Sequence, residues 1–152
     1  MAGLNLHHWL KQHTKPDARR PVLEAVGCQI GRLTAAGWIN RDLKPSNLII
    51  DEACESQSAE PVMIDPMGLH RRRRGGQIVQ MLAGFCRAGK RAGLGEAEWR
   101  ACLQALVRTD SRVAGVGSDQ QRANRLFEAT RENLGLGAGS EGSGNSTANP
   151  GP

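Results

Sequence analysis

Tyrosine is absent from this chain of 152 residues, and aromatic side chains make up only 3% of it. With so few rings, a core must be built from Leu, Ile, Val and Ala, and Trp9, Trp38 and Trp99 are all expected to pack inside it. A nucleic-acid-binding face usually spreads basic residues along a surface and interleaves them with aromatics, so no nucleic-acid partner is expected. Cys28, Cys54, Cys86 and Cys102 contain no C-x-x-C pair, and His7, His8, His13 and His70 follow no zinc spacing. Reduced thiols and surface histidines are therefore expected rather than a metal cage. No apolar run is long enough to span a bilayer and no secretory leader pattern opens the sequence, so the expected location is cytoplasmic, with at most peripheral contact at the inner membrane. No internal repeat is present. Residues 1–134 read as one domain, and residues 135–152, rich in Gly, Ser, Asn and Pro, as a disordered tail whose Asn145-Ser146-Thr147 triplet is a chance glycosylation pattern.

What is there is concentrated between residues 40 and 74. Asn40-Arg41-Asp42-Leu43-Lys44-Pro45-Ser46-Asn47 is followed by the apolar run Leu48-Ile49-Ile50, a polar stretch, a second apolar run Val62-Met63-Ile64, and then Asp65-Pro66-Met67-Gly68. Phosphoryl transfer needs a carboxylate to orient the acceptor hydroxyl, a cation near the transferred phosphate and oxygen ligands for Mg²⁺. Asp42 stands five residues before Asn47, the spacing between the base and the metal-binding Asn of a kinase catalytic loop. Asp42 is thus the candidate catalytic base, and Lys44 is the cation that can neutralise charge on the phosphoryl group. Asn47 offers a carbonyl oxygen to Mg²⁺. The two apolar runs read as a hairpin, which would return Asp65 to the neighbourhood of Asn47 as a second metal ligand. ATP and Mg²⁺ are the cofactors this chemistry implies. Either half alone is an ordinary surface or turn pattern; both halves in this order are much rarer.

On these motifs the chain resembles the C-lobe of the protein-kinase-like superfamily over roughly residues 4–108. The resemblance implies an α+β fold, mainly α, in which helices surround a short β-hairpin carrying the site. It also implies a short helix over residues 4–13 and a long one over 19–37. The residues agree independently for the second: Val22 or Leu23, Val26, Ile30 and Leu33 recur at helical steps, and Gly37 falls where a left-handed cap ends a helix. Further on, residues 77–87, 96–108 and 118–133 read as helices, with Trp99, Leu103, Leu106 and Val107 on one buried face and a capping box at Ser118 and Gln121. The departures from the family pattern are specific. Asn40 stands in place of the loop His and makes only some of its hydrogen bonds. Pro66 and Met67 replace the Phe-Gly pair after the metal Asp, Gly68 arrives one residue late, and no A-P-E motif follows.

The run Ile64-Asp65-Pro66-Met67-Gly68-Leu69-His70-Arg71-Arg72-Arg73-Arg74 is most similar to the lipopolysaccharide core kinases, the heptose and Kdo kinase family. That likeness implies a sugar hydroxyl as acceptor, on an anionic glycan or glycolipid whose phosphates or carboxylates are gripped by Arg71, Arg72, Arg73 and Arg74. These arginines account for four of the net charge of +5, and guanidinium forks bind both anions bidentately. Lys44-Pro45-Ser46 is equally typical of Ser/Thr protein kinases, which are the close alternative. The Gly-rich loop, strand Lys and helix Glu of a kinase N-lobe are not among these residues. Weak binding of Mg²⁺-ATP by the chain alone is therefore expected. The chain is then a fragment, a reading frame begun at an internal Met, one half of a split enzyme whose N-lobe another chain supplies, or a degenerate pseudokinase serving as a non-catalytic binding module. A lobe without that partner is expected to expose its residue 4–9 side and to be marginally stable or self-associating.

Overall fold

The computed structural model describes residues 3–51, 60–74 and 76–135. Cys54, most of the polar stretch after Asp51 and the tail beyond Gly135 lie outside the described residues.

Helix α2 (Pro16–Ala35) begins with Pro16, whose fixed backbone suits a first helical turn, and it organises the molecule. Its buried stripe is Leu23, Val26, Gly27, Ile30, Gly31 and Thr34. The stripe drifts toward Thr34 at its end, leaving Leu33 only half-buried, and the Thr34 hydroxyl is satisfied by the Gly31 carbonyl at 3.0 Å. The two glycines let helix α4 (Glu96–Thr109) approach closely. A Cβ on Gly27 would lie 2.1 Å from the Cys102 carbonyl oxygen, and one on Gly31 would lie 2.6 Å from Thr109 Cβ. From the other side α4 buries Trp99, Leu103, Leu106 and Val107, the face expected from its spacing. Past Ala35, Gly37 takes φ +82°, the left-handed turn that sequence spacing placed there.

Strand β1 (Gly3–Asn5) and helix α1 (Leu6–Gln12) replace the single helix expected over residues 4–13. Asn5 is the reason for the break: its backbone is extended, and its side chain accepts the His8 N–H at 3.0 Å as a helix N-cap. The expectation of an exposed residue 4–9 side is overturned. Leu6, Trp9 and Leu10 are buried in the main core, and Leu4 packs partly against it. Arg19 holds this corner together. Its guanidinium donates to the carbonyls of Leu10 and His13 at the end of α1, and to Gly93 at 2.9 Å, and it pairs with Glu98 in the first turn of α4 at 3.3 Å. Removing one partner of such a buried pair costs about 3–5 kcal/mol.

Strand β2 (Trp38–Asn40) pairs antiparallel with β5 (Leu69–Arg71), setting Trp38 opposite Arg71 and Asn40 opposite Leu69. The second sheet has the order β1, β3 (Leu48–Asp51), β4 (Val62–Met63), with all pairs antiparallel. The expected hairpin is there: Leu48 faces Met63 and Ile49 faces Val62. Trp38, expected in the core, is 36% exposed, because strand alternation turns Ile39 inward. The Arg71 guanidinium covers its ring at 4.8 Å. Helix α3 (Gly76–Arg91) buries Ile78, Met81, Leu82 and Phe85, and runs past the expected end at residue 87 to a turn in which Gly93 has φ +88°. Helix α5 (Asp119–Asn133) opens with the Ser118–Gln121 capping box and packs Leu126 and Phe127 inward. The fold is α+β and mainly helical. No helix of the described residues is long and apolar enough to cross a membrane.

Candidate active site

The site is assembled where β2 hands over to β3. After Asn40 the chain turns, with Leu43 donating its N–H to the Asn40 carbonyl at 3.2 Å, and buried Leu43 anchors the loop in the core. A short 3-10 turn, Pro45–Asn47, then feeds β3. On either side of Leu43 the side chains of Asp42 and Lys44 reach solvent and meet, with Lys44 Nζ 2.9 Å from Asp42 Oδ2. Asn47, almost fully buried, donates through Nδ2 to the Asp42 carbonyl at 3.1 Å and to Asp42 Oδ2 at 3.4 Å. The hydrogen bond from Lys44 holds the Asp42 carboxyl below the usual carboxylate range; the Lys44 charge and the Asn47 hydrogen bond act in the same direction, against a smaller desolvation effect.

Asn40 joins this loop to the next one. Fully buried, it accepts the Asp42 N–H through Oδ1 at 3.0 Å, and through Nδ2 it donates to the Asp65 carbonyl at 3.2 Å and contacts Met63 Sδ at 3.2 Å. The Asn40 amide thus ties both loops together. Gly68 is indispensable to that joint. A Cβ there would lie 1.9 Å from Asn40 Oδ1 and 2.9 Å from Asp42 N, and the Gly68 carbonyl accepts the Arg41 N–H at 2.8 Å. The glycine that looks one residue late in the sequence stands where the two backbones touch.

Asp65 caps a second 3-10 turn, Pro66–Gly68, its Oδ1 accepting the Met67 N–H at 3.0 Å. The residue before it, Ile64, donates its N–H to the Asn47 carbonyl at 3.1 Å, so Asp65 follows directly on the contact with Asn47. Asp42, Lys44 and Asn47 are therefore brought into one hydrogen-bonded cluster, with Asp65 in the adjoining turn. Asn47 Oδ1 accepts only a 3.4 Å bond from Ser46 Oγ, and Asp65 Oδ2 has no partner among the described residues. Both are hard oxygens, the kind of ligand Mg²⁺ takes. Among the described residues no three His, Cys, Asp or Glu side chains gather as a self-sufficient metal cage.

The four arginines do not join this cluster as a group. Arg71 lies over Trp38, and the Arg72 N–H continues the ladder by donating to the Gly37 carbonyl at 2.8 Å. Strand β5 thus runs away from Asn40, and Arg72 lies three residues beyond Leu69, about 10 Å along the strand. Arg73 and Arg74 donate their backbone N–H groups to Gln77 Oε1, at 2.8 and 3.0 Å, in front of α3. Sequence reasoning missed their neighbours. Arg112 and Arg125 line the same groove as Arg72, Arg73 and Arg74, and nothing in their distant positions along the chain signals it. Beneath them Asp110, 1% exposed, pairs with Arg112 at 3.1 Å and more loosely with Arg72 at 3.8 Å. Burial pushes the Asp110 carboxyl up, but the hydrogen bonds and charge of Arg112 outweigh it and hold the group below its ordinary value.

Neither the models of known protein families nor the curated proteins give a match to this chain.

Proposed function

We propose that residues 40–68 are the phosphotransfer site of a kinase-like lobe that uses ATP with Mg²⁺ and acts on a sugar hydroxyl of an anionic glycan such as a lipopolysaccharide core. The observation that carries this reading is the cluster of Asp42, Lys44 and Asn47, joined to the Asp65 turn through buried Asn40. In this reading Asp42, kept ionised by Lys44, receives the acceptor hydroxyl's proton as that oxygen bonds to the γ-phosphorus and the bond from phosphorus to the ADP oxygen breaks. Lys44, paired with Asp42 before substrate arrives, is close enough to turn its charge toward the transferred phosphoryl group. Asn47 and Asp65 would hold Mg²⁺, which when bound neutralises the nucleotide phosphates. Arg71, Arg72, Arg73 and Arg74 are assigned to anionic groups on the acceptor distant from the reacting hydroxyl, since Arg71 ends β5 and the other three follow it toward α3. The features that cover ATP phosphates in such enzymes are not among these residues, so a second lobe, from preceding sequence or from another chain, belongs to the proposal.

Lys44-Pro45-Ser46 favours a second reading, a Ser/Thr protein kinase with the same chemistry. The test is Mg²⁺-dependent transfer of label from γ-labelled ATP, with an N-lobe supplied, to a lipopolysaccharide-core oligosaccharide and to a basic protein. Label on the glycan is the expected result. Label on the protein alone replaces the glycan with the second reading, and label on neither, with any added N-lobe, leaves a non-catalytic module.

A further inference from the structure

A groove of about 580 Å³, separate from the Asp42 cluster, is lined by five arginines: Arg72, Arg73 and Arg74 ahead of α3, Arg112 after α4, and Arg125 on α5. Among the described residues no carboxylate lines it; buried Asp110 pairs with Arg112 at 3.1 Å and lies 3.8 Å from Arg72. Three of the five guanidiniums are positioned in advance. Arg112 donates to Asp110 and to the carbonyls of Thr34 and Ala35; Arg125 donates through Nε to the Ala114 carbonyl at 2.8 Å and through Nη2 to that of Val116; Arg72 is drawn toward Asp110. The side chains of Arg73 and Arg74 have no partner among the described residues, and both residues are exposed at the rim. Five permanently charged groups around one concavity repel one another, and a polyanion relieves that repulsion.

The floor decides between kinds of polyanion. Of the apolar lining residues, Ile78, Val113 and Leu126 are only 3%, 3% and 4% exposed, while Val79, Ala114 and Ala129 are half-buried; two of these last are single methyls, so the apolar surface left for an amphipathic acidic peptide is small. What the groove offers is charge in a volume suited to a small molecule. Phosphate groups match guanidinium forks bidentately, and several on one compact scaffold would engage the fixed and the free arginines together. We propose that this groove is a binding site for a small polyphosphorylated ligand with three or more phosphates, set apart from the Asp42 cluster but sharing Arg72, Arg73 and Arg74 with the acceptor of the function proposed above. Such phosphates can come from a soluble molecule or from a phosphorylated lipid headgroup.

The test titrates the full chain with tripolyphosphate and inositol hexakisphosphate by calorimetry, and with vesicles containing phosphatidylinositol bisphosphate by sedimentation. Arg73→Ala/Arg74→Ala removes the two unpartnered side chains without touching the fold. Arg87→Ala/Arg91→Ala, on exposed positions of α3 outside the groove, removes the same charge elsewhere. Saturable binding that falls at least tenfold in the first variant and less than twofold in the second supports the site. If it is seen with the soluble probes the source is a free polyphosphate, and if only with vesicles a headgroup. No saturable binding to any probe, or equal weakening by both variants, overturns the proposal, because then the charge acts only in bulk.

Discussion

Gly68→Ala is a small change with a large expected consequence. The new Cβ would lie 1.9 Å from Asn40 Oδ1 and 2.9 Å from Asp42 N, where ordinary contact is about 3.5 Å, so Asn40 must move by about 1.5 Å. Asn40 is fully buried, and that displacement breaks its bonds to the Asp42 N–H and the Asp65 carbonyl. Leaving a buried polar group unpaired costs about 1–3 kcal/mol, and forcing in the methyl adds a similar amount, so about 2–5 kcal/mol is expected in all. For a domain of this size that is a fall in Tm of about 5–15 °C. Gly84→Ala is the control: in mid-helix α3 nothing lies within 4 Å of the added Cβ, so stability should stay level or rise by the ~0.5–1 kcal/mol that alanine gains over glycine in a helix, and Tm should not fall. Thermal melting by circular dichroism measures both, and amide NMR shifts at Asp42 and Asp65 report whether the two loops separate. A Gly68→Ala protein that melts within 2 °C of wild type with unchanged shifts would refute the joint through Asn40.

Gly27→Ala should prise α2 from α4, since its Cβ falls 2.1 Å from a backbone oxygen with no side chain to give way; about 3 kcal/mol or more and a clearly lower Tm are expected. Lys44→Met should raise the Asp42 pKa toward the ordinary carboxylate value, because the ammonium is the main group holding it down, and a carboxyl carbon NMR titration that shows no rise contradicts this. Asp110 has a depressed folded pKa, so its stabilisation is present above the unfolded carboxyl value near ~3.9 and is lost as pH falls through the lower folded value. The Tm gap between wild type and Asp110→Asn should therefore narrow in acid, and a gap that widens would contradict the sign.

Much of this arrangement was legible because it depends on local rules. Three- and four-residue apolar steps marked α2 and α4, the Ser118 and Gln121 pair marked the start of α5, and two apolar runs around a polar stretch marked the pairing of Leu48 with Met63. The five-residue spacing singled out Asp42 and Asn47, which the fold holds together by a hydrogen bond that the spacing itself did not indicate. What escaped depends on distant partners. Arg19 reads as a surface cation until α1 and α4 close over it, and Gly27 and Gly31 read as weak helix positions until Cys102 and Thr109 are seen against them. Trp38 reads as core because of its size, yet β2 spends its inward positions on Ile39 and leaves the indole to Arg71. The arginine groove needs residues from three separate segments, and no periodicity connects Arg72 with Arg112 and Arg125.

The most direct measurement of the central claim is the rate of phosphate transfer from labelled ATP by wild type and Asp42→Asn, with the N-lobe supplied and the Tm of both proteins shown to be the same. The substitution keeps the side chain's size and a polar group beside Lys44 and Asn47, and removes only the charge that receives the hydroxyl proton. If Asp42 is the base, transfer falls by about two orders of magnitude or more, in the range of general-base loss. Transfer that proceeds at the wild-type rate in Asp42→Asn would contradict the account and take the chemistry away from this cluster.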